Sequence, residues 1–310
     1  MILKRLLSTI LLAASMANPF TAYAQKEAAV WYFGYKAGFN FNGGNPEPLQ
    51  NSALKLDGSG AVISDKDTGR LLFYTDGRNF WNKLHALMPS SNFLPSECYT
   101  GGTQPAVIVP DSENNYLFNV FYLRVSNEYT YNYEGPCVYA PKSPFVLQLY
   151  HVLIDMRLDN GKGDIVAERS NVLIQTDLTE KLAVVPHING KDYWVLVHGW
   201  NSNKFYAYPL ASTTVGNPVI TNIGSIHQVL GGVDPLQELQ GEMKASPNGK
   251  KLLVPFGENC ARSIFLILML PLACSASISI WATCGGSMGS RSRLTIQNCT
   301  CPPIAHRINH

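Results

Sequence analysis

From Gln25 to Arg262 the chain is a succession of short apolar and aromatic runs, each closed by a turn rich in Gly, Asn or Asp. No long apolar stripe of helical period interrupts them, so helix-rich folds are excluded and an all-β sandwich, barrel or propeller is expected. Residues 30–33, 61–64, 71–75, 106–109, 116–122, 148–154, 182–187, 193–198, 204–208 and 251–255 read as strands. Hydrophobic residues make up 46% and charged residues only 15%, which supplies a core and argues against disorder. Lys+Arg is 24 against Asp+Glu 22, so no strong field points to nucleic acid.

The hairpins share a plan. SDKDTGRLLFYTDG (64–77), PDSENNYLFNVFYL (110–123), PHINGKDYWVLVHG (186–199) and ASPNGKKLLVPFG (245–257) each place a polar turn before a strand that runs into the core. The turns recur at about 45, 75 and 60 residues, against ~40–50 for one propeller blade. A β-propeller-like, WD-repeat-like series of antiparallel blades is therefore favoured over unrelated hairpins in a sandwich. The body has room for about five blades.

WYFGYKAGFNFNGGNPEPL (31–49), GAVISDKDTGRLLFYTDGRNFWNKLHALMP (60–89), TQPAVIVP (103–110), EKLAVVPHINGKDYWVLVHGWNSNKFYAY (180–208) and MKASPNGKKLL (243–253) carry a family resemblance. They are similar to the amino-terminal propeller-like region of large exported proteins from bacteria using type IX secretion and gliding motility. The resemblance spans about residues 29–262. It implies a propeller-like architecture and a cell-surface address, and it implies no particular ligand or chemistry. The Ig-like or PKD-like modules and the sorting domain usual in that family do not follow here.

Both ends differ from the body. Residues 1–24 read as an export signal: Lys4 and Arg5 lead an apolar run, and Ala22-Tyr23-Ala24 forms a small-x-small cleavage site before Gln25. The apolar run is shorter than the ~20 residues of a membrane span. Residues 263–310 contain no Asp, Glu, Lys or Tyr, and four of the 7 cysteines fall there. Read one base out of phase, the codons permitted by residues 287–301 allow YGVAFSPDNSKLYV, which follows the plan of MKASPNGKKLLV (243–254). A frame-slipped, truncated product is the favoured expectation, leaving an incomplete propeller with an irregular or helical tail. The alternative is a transmembrane helix over 264–282, a stretch without charge that is near the ~20 residues needed.

Several constellations are weighed as sites. Gly285-Gly286-Ser287-Met288-Gly289 fits a nucleophile elbow in letters only, because no acid follows Glu258 to complete a triad. Cys299, Cys301, His306 and His310 depart from zinc-ligand spacing. His187 and His198 flank one hairpin too far apart to share a metal, at ~20 Å. Asp65 and Asp67, with Gly69, form a weak calcium-turn candidate against a plain polar turn; Asp111, Glu113, Asn114 and Asn115 repeat the ambiguity. Cys98 and Cys137 bracket a loop-rich insertion and are a disulfide candidate under export. Tyr122, Tyr129, Tyr131, Tyr133 and Tyr139 in that insertion are the candidate binding surface, since tyrosine combines a rigid face with a polar tip.

The expected protein is an exported, non-catalytic interaction or surface-adhesion module at the periplasm, cell surface or beyond. No cofactor, structural metal or nucleic acid is expected, and the partner is a protein or glycan. The rivals are a polysaccharide-acting propeller enzyme using Asp76 or Asp192, and a membrane-anchored scaffold held by 264–282.

Overall fold

The structure is a computed structural model that describes residues 26–91, 103–125, 147–223, 226, 239–247, 249, 251–255, 263–266, 278–283 and 292–296. It is all-β, with strands that pair antiparallel throughout. The first sheet holds β1 (Val30–Tyr35), β2 (Ala37–Asn40), β3 (Glu47–Leu49) and β4 (Lys55–Ser59) in the order β3-β2-β1-β4. The second is a meander of β5 (Ala61–Ser64), β6 (Leu71–Thr75) and β7 (Phe80–Asn82).

The third sheet is the largest. It comprises β8 (Ala106–Pro110), β9 (Leu117–Val125), β10 (Leu147–Asp155), β11 (Asp164–Ile165), β12 (Val172–Pro186), β13 (Tyr193–Gly199), β14 (Lys204–Ala211), β15 (Thr214–Val215) and β16 (Val219–Asn222). Strand β12 serves two neighbours in turn. Its first half pairs with β10 as far as Leu147↔Leu178, and from Leu178↔Gly199 onward it pairs with β13. The register slips between Leu178 and Leu182, and Asp177 just before has φ 57°. This is bulge geometry, which bends and twists a strand. The sheet is thus two meanders, β8-β9-β10 with the start of β12, and the end of β12 with β13-β14 and β15 or β16.

The fourth sheet runs β17 (Lys244–Ala245), β18 (Leu252–Pro255), β19 (Ser263–Leu266), β20 (Ile278–Thr283) and β21 (Ser292–Ile296). The tail was expected to be irregular or, if an anchor, helical across 264–282. Its described parts are strands instead: β19 pairs with β18 and β20, and β20 pairs with β21. Ile278, Ile280 and Trp281 are β-branched or aromatic, the residue types that favour strands. Among the described residues no helix is long and apolar enough to cross a membrane. Residues 1–24, expected to be an export signal, lie outside the described residues.

Among the described residues four cores separate the units, and strand alternation shows how. On β9, Phe118, Val120 and Tyr122 point into a core shared with Ile63, Phe73 and Phe80 of the second sheet. Phe121 and Leu123 point the other way, into a core with Leu182, Val195, Val197 and Tyr208 of the second meander. Beyond that meander, Ala183, Val185, Leu196 and Phe205 meet Leu252 and Val254 of the fourth sheet. At the opposite end Val30 and Tyr32 of the first sheet meet Tyr74 of the second. The units are therefore stacked face to face in chain order, and each inner unit is covered on both sides. A sheet covered on both faces needs apolar residues at successive positions, which is why LFNVFYL, AVVP and YWVLV are so unbroken.

Candidate functional site

Four hairpins have loops of matched design. Residues 65–70 join Ser64 to Leu71, 187–192 join Pro186 to Tyr193, and 246–251 join Ala245 to Leu252; the loop after Pro110 runs to Phe118 and is one residue longer. In each, the first loop residue donates its N–H to the carbonyl near the loop end: Asp65 to Arg70, Asp111 to Leu117, His187 to Asp192, Ser246 to Lys251. Gly69, Gly190 and Gly249 adopt φ +72°, +71° and +65°, the left-handed region that glycine enters without strain.

A side-chain oxygen holds each loop closed. Asp65 Oδ1 accepts from the N–H of Asp67 (3.2 Å) and of Thr68 (2.7 Å) and from Thr68 Oγ1 (2.7 Å). Asp111 Oδ1 accepts from Glu113 and Asn114, while its Oδ2 accepts from Ser212 Oγ at 2.6 Å. Asn189 Oδ1 accepts from Lys191 and Asp192. These are Asx turns, the polar-turn geometry weighed against a calcium turn at Asp65. The Thr68 hydroxyl and N–H hold the Asp65 carboxyl below the usual aspartate range. Among the described residues no group of three or more His, Cys, Asp or Glu could hold a metal. Asp65→Ala is expected to cost about 1–2 kcal/mol in urea unfolding, the worth of one or two hydrogen bonds. Thermal melting of the wild type is expected to be unchanged by calcium, and an upward shift in its Tm would restore the metal reading.

Three of these turns converge on one cleft of about 670 Å³, within the ~300–1,000 Å³ of small-ligand sites. Ser64, Asp65, Lys66 and Asp67 come from the first turn, Asp111 and Tyr116 from the second, and Lys191 with Tyr193 from the third. Glu27 and Arg157 complete the wall. The acids Glu27, Asp65, Asp67 and Asp111 balance the bases Lys66, Lys83, Arg157 and Lys191. Such a lining has no net charge with which to concentrate an anion or a cation.

Its planar groups are fixed. Arg157 is clamped on Asp155 through Nε–Oδ1 at 2.9 Å and Nη2–Oδ2 at 2.7 Å, and the guanidinium carbon lies 5.7 Å from the Tyr116 ring centroid. Tyr116 is 56% exposed. Burial raises the Tyr193 phenol, and the charge of Glu27 adds to that. Burial likewise raises the Glu27 carboxyl, against an opposing pull from Lys66. Ser64 is buried, and its Oγ has no hydrogen-bond partner. A buried hydroxyl left unpaired costs roughly 1–3 kcal/mol, and the Ser64 Oγ is itself shut off from solvent.

The residues singled out from sequence fare differently. Tyr122 is not on a surface loop. It lies in β9, fully buried, donates its hydroxyl to Asn171 Oδ1 and stacks on Tyr150 at 5.7 Å. The core between the second and third sheets needs an inward residue at that register, so Tyr122 is withdrawn from the binding surface. Burial pushes its phenol up to about 12. Tyr129, Tyr131, Tyr133 and Tyr139 lie outside the described residues, as do Cys98 and Cys137. Asp76 and Asp192 are engaged locally: Asp76 Oδ1 accepts from the N–H of Arg78 and Asn79, and Asp192 Oδ2 accepts from Asn189 Nδ2 at 2.7 Å. His187 sits beside Trp194 and His198 packs edge-on against Phe205 at 4.4 Å, in separate environments.

Sequence reasoning missed the cleft because its parts come from distant hairpins. The repeated turn plan was the available signal, since equivalent turns of stacked units fall at the same end. No protein-family model matches the chain, and no curated protein matches it.

Proposed function

We propose that this is an exported, non-catalytic recognition module, built as a propeller-like series of blades, that binds an uncharged glycan in the cleft between its hairpin turns. The observation that carries this reading is the exposed Tyr116 ring beside the clamped Arg157 guanidinium on the wall of a charge-balanced cleft. The faces of Tyr116 and Arg157 offer the flat surface a pyranose ring packs against. The resemblance of residues 29–262 to amino-terminal regions of type IX-exported, gliding-associated proteins supplies the cell-surface address. The acid-free tail fits a frame-slipped remnant of a further blade, which resequencing of the gene around codons 259–265 tests: stop codons early in the alternate frame would remove that part.

The test uses a panel of neutral oligosaccharides and titration calorimetry. Binding is expected to be insensitive to salt and to weaken about tenfold in Tyr116→Ala, the loss of one good packing contact. Ser64→Ala is expected to keep or raise stability, because it removes an unsatisfied buried hydroxyl. No binding, or binding that Tyr116→Ala leaves intact, overturns the assignment. Polysaccharide cleavage abolished by Glu27→Gln would move it to an enzyme, since a carboxyl raised by burial in a cleft is a general-acid signature.

A further inference from the structure

We infer that His85 is a proton-operated latch between the first and second sheets, closed while its ring is neutral and loosened when the ring gains a proton. The turn that ends β7 carries it. Asn82 Oδ1 accepts from the N–H of Leu84 and of Ala86, and His85 between them adopts φ 61°, a left-handed conformation uncommon outside glycine. From there the half-buried imidazole touches both units. Its Nε2 lies 3.0 Å from Asn51 Nδ2, on the connection between β3 and β4, and its Nδ1 lies 3.1 Å from the Tyr74 hydroxyl of β6. Asn51 Oδ1 in turn accepts from the Tyr32 hydroxyl of β1 at 3.0 Å. The Tyr32 and Tyr74 rings flank the imidazole at 5.9 and 5.8 Å between centroids.

This chain of bonds suits a neutral ring. With Asn51 Oδ1 taking the Tyr32 hydrogen, the amide donates through Nδ2, so His85 Nε2 accepts and the ring hydrogen sits on Nδ1. It points at Tyr74 Oη, which also accepts from the Ala53 N–H at 2.8 Å. A proton added to Nε2 meets the Asn51 NH2, donor against donor. Turning the amide over mends that contact only by taking the acceptor away from Tyr32, which is buried. Either way one bond of the chain is lost, and the new charge finds no compensation. The groups facing the ring are a phenol from β1, an amide from the β3–β4 connection and a phenol from β6, and among the described residues His85 makes no ion pair. Lys83 of the same turn carries charge of the same sign, with Nζ on the Gly161 carbonyl at 3.0 Å. Burial already lowers the His85 imidazole, and it raises both phenols, Tyr74 to about 12. Of the three, only His85 titrates near or below neutrality. A histidine whose folded value is depressed contributes stability that is complete above about pH 6.5 and is lost as the pH falls through the folded value, so acid opens the latch.

Hydrogen exchange of the β1 amides in the full chain, at about pH 7.5 and about pH 5.5 with intrinsic rates divided out, tests the inference. Protection is expected to fall about fivefold or more at the lower pH, the ratio set by a ring that titrates near 6.5 when open and lower when closed. His85→Gln cannot gain a charge and is expected to abolish most of that fall. The buried His151 and His198 are present in both chains, so the difference between them isolates His85. Asn51→Asp, at an exposed position, sets a carboxylate against Nε2 and is expected to lift the His85 midpoint, read by NMR on the imidazole Cε1–H, above about 6.5, with β1 protection kept in acid. A fall in protection equal in wild type and His85→Gln overturns the latch. So does a His85 midpoint that Asn51→Asp leaves unmoved, because the ring would then not face that side chain.

Discussion

Replacing Phe121 by Ala is expected to cost about 3–5 kcal/mol of unfolding free energy, and replacing its neighbour Tyr122 by Ala a similar amount. Both side chains are fully buried. On a strand with one face in water, adjacent residues would give one large effect and one small one. Here Phe121 belongs to the core with β12 and β13, and Tyr122 to the core with β6 and β7. The two losses arise in different cores, so the double variant is expected to fall close to their sum. Urea unfolding at constant m is the measurement. A loss below about 1 kcal/mol at either site would mean that β9 is exposed on that face, and the face-to-face stack would be wrong. The pair Trp31 and Tyr32 supplies the contrast. Tyr32 is buried and donates to Asn51 Oδ1 at 3.0 Å, so Tyr32→Ala is costly, whereas Trp31→Ala changes mainly exposed surface.

The same alternation explains what could be seen in the sequence. Runs such as LLFYT and YWVLVHG were legible as strands to within a residue or two, because β-branched and aromatic residues bounded by Asp-Gly or Asn-Gly turns leave little else open. The start of β12 was not, since Val172–Thr179 mixes Gln, Asp and Thr with its apolar residues and becomes a strand by pairing with β10. β2 was missed for a related reason: Gly38 and Asn40 have low strand propensity, but the register with β1 holds them. Tyr122 was misplaced because a tyrosine-rich neighbourhood looks the same from sequence whether it faces water or a second sheet. Only the position of the Phe73 and Phe80 rings decides that. The Ser64 hydroxyl was invisible on the same grounds, since a serine ending a strand says nothing about what its Oγ meets.

Acid is expected to destabilise the protein from about pH 6.5 downward, before most of its carboxylates are titrated. His151 and His198 are both buried in the neutral form. Burial, helped by the charge of Arg169, pushes the His151 imidazole down to about 4; burial, helped by Lys181, pushes His198 down to about 3. In the unfolded chain both titrate near 6.5. The folded state therefore binds fewer protons than the unfolded state between those values. The stability these two neutral rings contribute is complete above about pH 6.5 and drains away as the pH falls toward 4 and then 3. Each ring is worth on the order of 3 kcal/mol over its window. A typical domain has only about 5–15 kcal/mol in total, so the urea midpoint should drop steeply between about pH 6.5 and 4. Asn119 fixes the tautomer of His151: its Nδ2 donates to the Ser212 carbonyl at 2.9 Å, so its Oδ1 accepts from Nε2–H of the ring, also at 2.9 Å. His151→Gln can keep a donor at that place and cannot gain a charge. It should flatten the pH dependence over this range while costing little at pH 8. An unaltered slope in His151→Gln would show that the ring is accessible to protons in the folded protein, and that the core beside Phe121 is open to water.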